Sequence, residues 1–211
     1  MRTGMMVGLG LAVSAAIAQE KTVMDFESDG VGQQPLGFEF GRTGEGKPGN
    51  WTVIVREDAP SGKKVLAQTD TDSTDNRFPV AFTGPTMKDL RLSVRCKPIS
   101  GSVDQGCGLV FRLKDANNYY VARANALEDN VRLYHVVNGR RRQFGGWNGK
   151  VASGVWHQLG VEAKADHITV SFNGAKVIDE HDSTFPDAGK FGVWTKADSV
   201  IYFDDLTATP L

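Results

Sequence analysis

The chain lacks the features that mark several classes of protein. Its 211 residues carry a net charge of −1, which argues against nucleic acid as a partner, because nucleic-acid binding needs a basic footprint. Beyond residue 19, no apolar run approaches the ~18 residues that a membrane-spanning helix requires. No window of helical periodicity exceeds about three turns. We therefore expect a protein that neither binds nucleic acid nor spans a membrane, and that has little helix.

Recognised catalytic motifs are also missing. None of the four histidines has the His-x-His or i, i+4 spacing that builds a metal triad. There is no Gly-x-Ser-x-Gly nucleophile elbow, and no dinucleotide-binding or P-loop fingerprint. His135 shares the apolar face of its segment, which is typical of a core histidine. Nucleophilic, nucleotide-dependent and histidine-metal chemistry therefore have little support.

The first residues, MRTGMMVGLGLAVSAAIAQE, have the order of a secretory signal. Arg2 precedes an apolar run from Met5 to Ile17, and Ala16-Ile17-Ala18 fits the small-x-small pattern of a cleavage site. We predict a signal peptide over residues 1–18 and one mature domain over residues 19–211, secreted or periplasmic. An uncleaved anchor or an unstructured tail is the alternative.

The chain has only two cysteines, Cys96 and Cys107. In an exported protein, an even pair suggests a disulfide. In LRLSVRCK and CGLVFRLK, each cysteine is in phase with the apolar residues of its segment. Both thiols therefore point to the same side if the two runs pair across the loop PISGSVDQG, which favours a cross-strand bridge. Two buried free thiols are the alternative.

Nearly every segment after the leader alternates apolar and polar residues with period two, as in ITVSF and VRLYHVV. Such alternation indicates strands with one buried face. Asn138-Gly139 and Asn173-Gly174 each lie between two such segments, and Asn-Gly is a strong hairpin signal because both residues of a type I′ turn need positive φ. Many short antiparallel strands predict an all-β sandwich or barrel.

Two polar loops and one basic triplet interrupt this pattern. GRTGEGKPGN (41–50) and DTDSTDNR (70–77) are long enough to rim a binding face, or simply to be mobile. The triplet Arg140-Arg141-Arg142 follows a turn, and we interpret it as a solvated strand face.

From residue 107 onward the chain resembles a known group. The segments GLVFRLKDANNYYVARANALEDNVRLYHVVNGRRRQF, GVWHQLGVEAKADHITVSFNGAKVIDEHD and GKFGVWTKADSVIYFDDLTA resemble secreted bacterial concanavalin A-like jelly rolls. These proteins are commonly grouped with the 3-keto-disaccharide hydrolase domain, also called family-16-like or laminin-G-like. The resemblance covers roughly residues 22–209. It implies two antiparallel sheets in a jelly-roll sandwich, with a concave face often used for glycans.

A family-16 glycosidase carries paired carboxylates in a Glu-x-Asp-x-x-Glu strand, and this motif is absent. Glu128 and Asp129 lie in the loop ALEDN, and adjacent residues on a strand point to opposite faces. An enzyme of the 3-keto-disaccharide hydrolase type is therefore an alternative hypothesis, with Glu128 or Asp129 lining the groove. A structural or adhesive envelope module is a second alternative.

The favoured hypothesis is a glycan-binding domain. Alternation puts Tyr119 and Arg123 on the face opposite Tyr120, Ala122 and Ala124, whose small side chains suit packing between sheets. Sugars are bound by aromatic faces together with Arg, Asn and Lys donors. We predict that the ligand-binding residues are Arg112, Tyr119, Arg123, Trp194 and Lys196.

The two ends of the chain suggest a cation. In jelly rolls the first and last strands commonly lie side by side, which brings Glu27 of TVMDFESDG near Asp204 or Asp205 of YFDDL. Converging carboxylates repel unless a cation holds them, and Ca²⁺ prefers oxygen ligands. We predict a structural calcium at Glu27, Asp204 and Asp205. The alternative is that one aspartate caps a turn or pairs with a lysine while the other is solvated. At least one of the two should have a cation or a cluster of N–H donors.

Overall fold

A computed structural model describes residues 20–211. The predicted signal peptide lies outside these residues. The described chain forms fifteen β-strands and no helix. No helix of residues 20–211 is therefore long and apolar enough to cross a membrane. All strand pairs are antiparallel, and they make two sheets.

The fifteen strands are numbered in chain order, and eight of them form sheet A. Its path is β13 (Ala175–His181), β12 (His167–Phe172), β11 (His157–Lys164), β6 (Leu90–Ser100), β15 (Val200–Pro210), β4 (Lys64–Gln68) and β3 (Trp51–Val55). The eighth strand, β1 (Thr22–Met24), pairs with β15. The first and last strands thus lie side by side, as predicted.

Sheet B has seven strands. Their order is β10 (Arg140–Asn148), β9 (Asn130–Val137), β8 (Asn118–Asn125), β7 (Gly106–Asp115), β14 (Gly189–Thr195), β5 (Arg77–Met87) and β2 (Glu39–Gly44). Both Asn-Gly pairs form the predicted hairpins, β9–β10 and β12–β13. Asn138 and Gly139 have φ of 50° and 76°, and Asn173 and Gly174 have φ of 49° and 84°.

The core lies between the sheets, and the alternation of side chains along each strand determines which residues belong to it. On β8, Tyr120, Ala122 and Ala124 face this core, whereas Tyr119 and Val121 belong to a second cluster on the outer face of sheet B. The prediction that Tyr119 and Tyr120 point to opposite faces is confirmed. Sheet B therefore carries apolar side chains on both faces.

Cys96 and Cys107 form a disulfide, with their Cα atoms 6.4 Å apart. The predicted bridge is present, but the predicted hairpin is wrong. β6 belongs to sheet A and β7 to sheet B, so the two thiols meet because both inner faces enclose one core. The disulfide therefore links the two sheets instead of two paired strands.

Candidate functional site

Sheet B is strongly curled, and the curl makes its outer face concave. The Thr43 Oγ1 atom of β2 lies 2.7 Å from the Tyr119 hydroxyl of β8, although β5, β14 and β7 lie between these strands in the sheet. Gly139, in the β9–β10 turn, also approaches Thr43. The concave face is thus narrow, and it carries an apolar cluster that includes four aromatic residues, Phe78, Tyr119, Tyr134 and Trp194.

Trp194 is the centre of this aromatic cluster. Its ring stacks on Phe78 with centroids 5.5 Å apart, and its Nε1 donates to the Tyr119 hydroxyl at 3.2 Å. Gly108 leaves room for the ring, because a Cβ there would lie 3.0 Å from Trp194 Cε3. Burial raises the pKa of Tyr119 to about 12.

Tyr119 and Trp194 were expected to face a ligand, but both side chains are fully buried. Their rings stack and hydrogen bond within the protein because the sheet curls around them. In this structure the two side chains pack within the aromatic cluster, and neither presents a ring surface to a sugar.

Arg123 lies at one end of the cluster and anchors a polar network. Its guanidinium donates to Asn130 Oδ1 at 2.6 Å, to Glu128 Oε2 at 2.8 Å and to the Tyr134 hydroxyl at 3.2 Å. The Arg123 side chain is 5% exposed and that of Glu128 is 46% exposed. The network is therefore built inside the protein and reaches solvent through a carboxylate.

Lys196 lies directly after β14 and completes the network. Its Nζ is 2.6 Å from Asp75 and 3.3 Å from Asp104. Burial raises the pKa of Asp104, although the charges of Lys196 and Arg123 oppose that rise. Asp198 holds the loop that carries Asp104, because its carboxylate accepts the backbone N–H of residues 102, 103 and 104.

The two polar loops predicted as a rim are tied together by Arg77. This fully buried side chain donates to the carbonyls of Lys47, Pro48 and Ala197. Between the loops, Asp72 accepts a hydrogen bond from the Lys47 N–H. The rim of the site is therefore fixed by hydrogen bonds between side chains and backbone groups.

A cavity of about 370 Å³ borders the Arg123 network at Lys196, which forms part of its lining. Arg141 reaches over the aromatic cluster and forms one wall, while Asp75 and Lys196 form another. Its full lining is Asp75, Asn76, Phe78, Gly139, Arg140, Arg141 and Lys196. We refer to this cavity, together with the Arg123 network, as the Trp194 site.

A larger depression of about 450 Å³ lies on the outer face of sheet A. Small hydroxyl and amide side chains line it, such as Ser93, Gln158 and Thr207. Both side chains of its Arg91–Glu162 ion pair are exposed to solvent. A shallow, exposed depression with no buried charge is a weaker candidate than the Trp194 site.

Arg112, which was predicted to share the ligand-binding face, lies outside the Trp194 site. It has a positive φ of 46°, and the β7–β8 register shifts between Phe111 and Asp115. This bulge reverses the expected alternation. The buried guanidinium donates to the carbonyls of Lys88 and Phe185 at 2.8 and 3.1 Å. Arg112 thus has a structural position at the other end of β7.

The predicted calcium residues gather around the turn before β4. Asp204 is fully buried, and its oxygens accept hydrogen bonds from the Ser61 and Asp205 N–H groups. Glu27 Oε1 accepts the N–H groups of Lys63 and Lys64 at 2.8 and 2.6 Å. The alternative of stabilisation by N–H donors is therefore observed for Asp204.

Within residues 20–211, no three His, Cys, Asp or Glu side chains are grouped closely enough to hold a metal ion. Burial raises the pKa of Asp204 to about 6, against the opposing effect of its N–H donors. The buried Asp204 carboxyl therefore keeps its proton up to about pH 6, well above the range of an exposed aspartate.

The carboxylates considered for hydrolysis are both held as anions. Burial alone would raise the pKa of Glu128, but hydrogen bonds from Asn130 and Arg123 outweigh it and lower that pKa. The Val151 N–H and the Lys150 ammonium lower the pKa of Asp129. A glycosidase acid needs a raised pKa, so neither side chain suits that role.

Sequence patterns missed several residues of the Trp194 site. Phe78, Asp104 and Tyr134 come from three separate segments, and no spacing rule connects them. Arg141 had a usable signal, because alternation separates the middle residue of an Arg triplet from its two neighbours. The curl of sheet B, which brings these residues together, has no local signature.

Comparisons with known proteins support the fold. No family model matches the chain. A levanase from Bacillus subtilis (strain 168) is 33% identical over 107 residues, covering 49% of this chain and only 15% of the levanase. The carbohydrate-binding module CBM66 from Bacillus subtilis matches with a TM-score of 0.62 and 23% identity, over 76% of this chain and 92% of the module.

A β-glucanase from Bacillus licheniformis matches with a TM-score of 0.62 and 12% identity, over 92% of this chain and 99% of the glucanase. Likenesses at such identities show the fold. Together with the two antiparallel sheets, they confirm the prediction that this chain is a concanavalin A-like jelly-roll β-sandwich.

Proposed function

We propose that this chain is a carbohydrate-binding module and that the Trp194 site holds its sugar. The observation that carries the proposal is a network that joins buried Arg123 and Asn130 to exposed Glu128, with Lys196 next to it in the lining of an open cavity. Fixed, charged hydrogen-bonding groups at the edge of a concave sheet suit a polyhydroxyl ligand.

The similar proteins support the same class of ligand. One is a carbohydrate-binding module, and the levanase is named for the fructan levan. Because the chain spans 15% of the levanase, hydrolysis is not carried over from it. The held anionic state of Glu128 and Asp129 also argues against the hydrolase alternative.

Binding to levan, inulin and a panel of bacterial and plant glycans tests the proposal, by affinity electrophoresis followed by calorimetry. We expect binding of at least one glycan and at least a tenfold loss in Arg123→Lys, because lysine cannot donate to three acceptors in one plane. Arg91→Lys, on the exposed face of sheet A, is the matched control.

An absence of binding across the panel would overturn the proposal and favour a structural or adhesive module. Equal affinity of Arg123→Lys and wild type would show that the Trp194 site is not the binding site. Thermal melts of both variants separate a binding defect from a folding defect.

Export of the chain is part of the proposal, supported by the Cys96–Cys107 disulfide, since such bonds persist in oxidising compartments. Expression with residues 1–211 in a bacterial host, followed by fractionation, tests it. Mature protein that begins after Ala18 in the periplasm or medium is expected. Full-length chain in the cytoplasm would contradict export.

Calcium at Glu27, Asp204 and Asp205 stays a prediction. The donor atoms are oxygens of the kind that Ca²⁺ takes, and all three residues lie near Ser61–Lys64. However, oxygens of Glu27 and Asp204 already accept N–H groups, so a cation would have to compete with these donors. A melting temperature that rises with CaCl₂ after chelation would support the site, and an unchanged one would overturn it.

A further inference from the structure

Arg141 does not behave as the solvated strand residue expected from its triplet. Its guanidinium carbon lies 4.5 Å from the centroid of the Tyr134 ring, 4.7 Å from that of Phe78 and 5.9 Å from that of Trp194. Arginine commonly stacks on aromatic faces in this way. Three rings around one guanidinium restrict the positions that the Arg141 side chain can adopt.

The Arg141 guanidinium has no hydrogen-bond or ion-pair partner among residues 20–211. The Nη1 atom of Arg141 is buried and makes no hydrogen bond. The other cations of the site form ion pairs, Arg123 with Glu128, and Lys196 with Asp75 and Asp104, although Arg123 Nε is also buried without a hydrogen bond. A desolvated guanidinium donor without an acceptor is costly, so Arg141 is prepared for an acceptor that comes from outside the chain.

The surroundings favour an anionic acceptor over a neutral one. Exposed Arg140 adds a second positive charge to the same cavity wall. Within residues 20–211, no carboxylate forms an ion pair with Arg140 or Arg141, whereas Asp75 and Asp104 neutralise Lys196. Arginine binds planar oxyanions through parallel N–H groups, which hydroxyls match less well.

We propose that the glycan bound at the Trp194 site is acidic, and that Arg141 binds a carboxylate or sulfate group of the sugar. This inference rests on the proposed carbohydrate-binding function and narrows its ligand class. Arg141 and Arg140 line the cavity of about 370 Å³, so one charged sugar substituent enters it while the Arg123 network holds the hydroxyls.

Calorimetry on the whole chain tests the inference with three probes: oligogalacturonate, the matched neutral oligogalactoside and a sulfated galactan oligomer. We expect at least one acidic probe to bind at least tenfold more tightly than the neutral one. This preference should shrink as salt rises, because ionic contacts are screened. The tighter of the two acidic probes identifies carboxylate or sulfate as the preferred group.

Arg141→Gln should abolish the preference, and Arg141→Lys should keep only part of it, because lysine has charge without the planar fork. Arg142→Gln is the matched control, since it removes the same charge from the exposed neighbour and should retain the preference. Melting curves show whether loss of the ring stacking affects folding, and Arg141→Lys keeps the test usable if Arg141→Gln unfolds.

Two results would overturn the inference while the proposed function stands. One is equal or tighter binding of a neutral glycan, levan included, and the other is an acidic preference that survives in Arg141→Gln. Absence of binding to every probe and to the wider glycan panel would instead defeat the proposed function, and the inference with it.

Discussion

The side-chain oxygens of Thr43 and Tyr119 lie 2.7 Å apart, joining two strands that are separated by three others in sheet B. Trp194 Nε1 donates to the same Tyr119 hydroxyl. One phenol group therefore connects the curled edge of the sheet to the aromatic floor of the site. Its removal tests how far the curl depends on this contact.

Tyr119→Phe is expected to lower the free energy of unfolding by about 1–3 kcal/mol, because Trp194 Nε1 is left buried without an acceptor. Chemical denaturation measures the change. Tyr202→Phe, on a half-buried ring outside the site, is the control and should change stability by less than about 0.5 kcal/mol. Similar losses in both variants would contradict the importance of the Tyr119 contact.

The disulfide gives a second stability prediction. The bridged residues are 11 apart in sequence, and closing a loop of that size corresponds to about 3 kcal/mol of chain entropy. Cys96→Ala together with Cys107→Ala should lose stability of that order, as should wild type under reducing conditions. The double variant should then be insensitive to reductant, and an unchanged wild-type melt on full reduction would refute the prediction.

Asp204 should make stability depend on pH in a characteristic direction. Its pKa of about 6 in the folded state lies above the ordinary value of about 4. The folded state therefore holds the proton more tightly than the unfolded state. The contribution of protonated Asp204 to the free energy of unfolding is complete below about pH 4 and is lost as the pH rises to 6 and above.

The comparison of wild type with Asp204→Asn isolates this effect when both are melted in chelator between pH 4 and 7. As the pH rises over that range, the free energy of unfolding of wild type should fall relative to that of Asp204→Asn by up to about 3 kcal/mol. A constant difference would contradict the raised pKa. If saturating calcium reverses the shift, the ionised Asp204 is a cation ligand.

Glu128 and Asp129 offer a matched pair, since they are adjacent but only Glu128 contacts Arg123. Glu128→Gln is expected to weaken glycan binding by about tenfold, because a charge-assisted hydrogen bond in the network is lost. Asp129→Asn should leave affinity unchanged. Release of reducing sugar by wild type that is absent in Glu128→Gln would instead revive the hydrolase hypothesis.

Arg112→Gln separates stability from binding. The buried guanidinium donates to the Lys88 and Phe185 carbonyls, and leaving these acceptors unpaired should cost about 2–4 kcal/mol. Glycan affinity of the remaining folded protein should equal that of wild type, since Arg112 lies outside the Trp194 site. A tenfold loss of affinity at equal folded fraction would show that Arg112 does affect the ligand.

Local patterns predicted those parts of the molecule that local rules determine. Alternation gave the strands and the opposite faces of Tyr119 and Tyr120, and positive φ at Asn138 and Asn173 followed from the Asn-Gly turns. The phase of the two cysteines predicted their pairing. Sheet membership of β6 and β7 was mispredicted, because phase tells which side a residue faces and not which sheet its strand joins.

The candidate site depended on information that one segment does not contain. Arg112 left its expected face because a bulge and two distant carbonyls fix its backbone and guanidinium. Trp194 became a buried support because sheet B curls until β2 reaches β8. Arg141 contacts three rings from β5, β9 and β14 because the same curl of sheet B brings these strands together. Each of these outcomes follows from tertiary geometry, which acts across the whole sheet.

Arg77 has a consequence for the evolution and engineering of this binding surface. One guanidinium satisfies carbonyls of the 41–50 loop and of the segment after β14, and it pairs with Asp70 at 2.7 Å. Three loops thus share a single anchor, so none can be lengthened or exchanged alone without leaving buried carbonyls unpaired. Loop grafting to change ligand specificity should therefore transplant these segments as a set, with Arg77 retained.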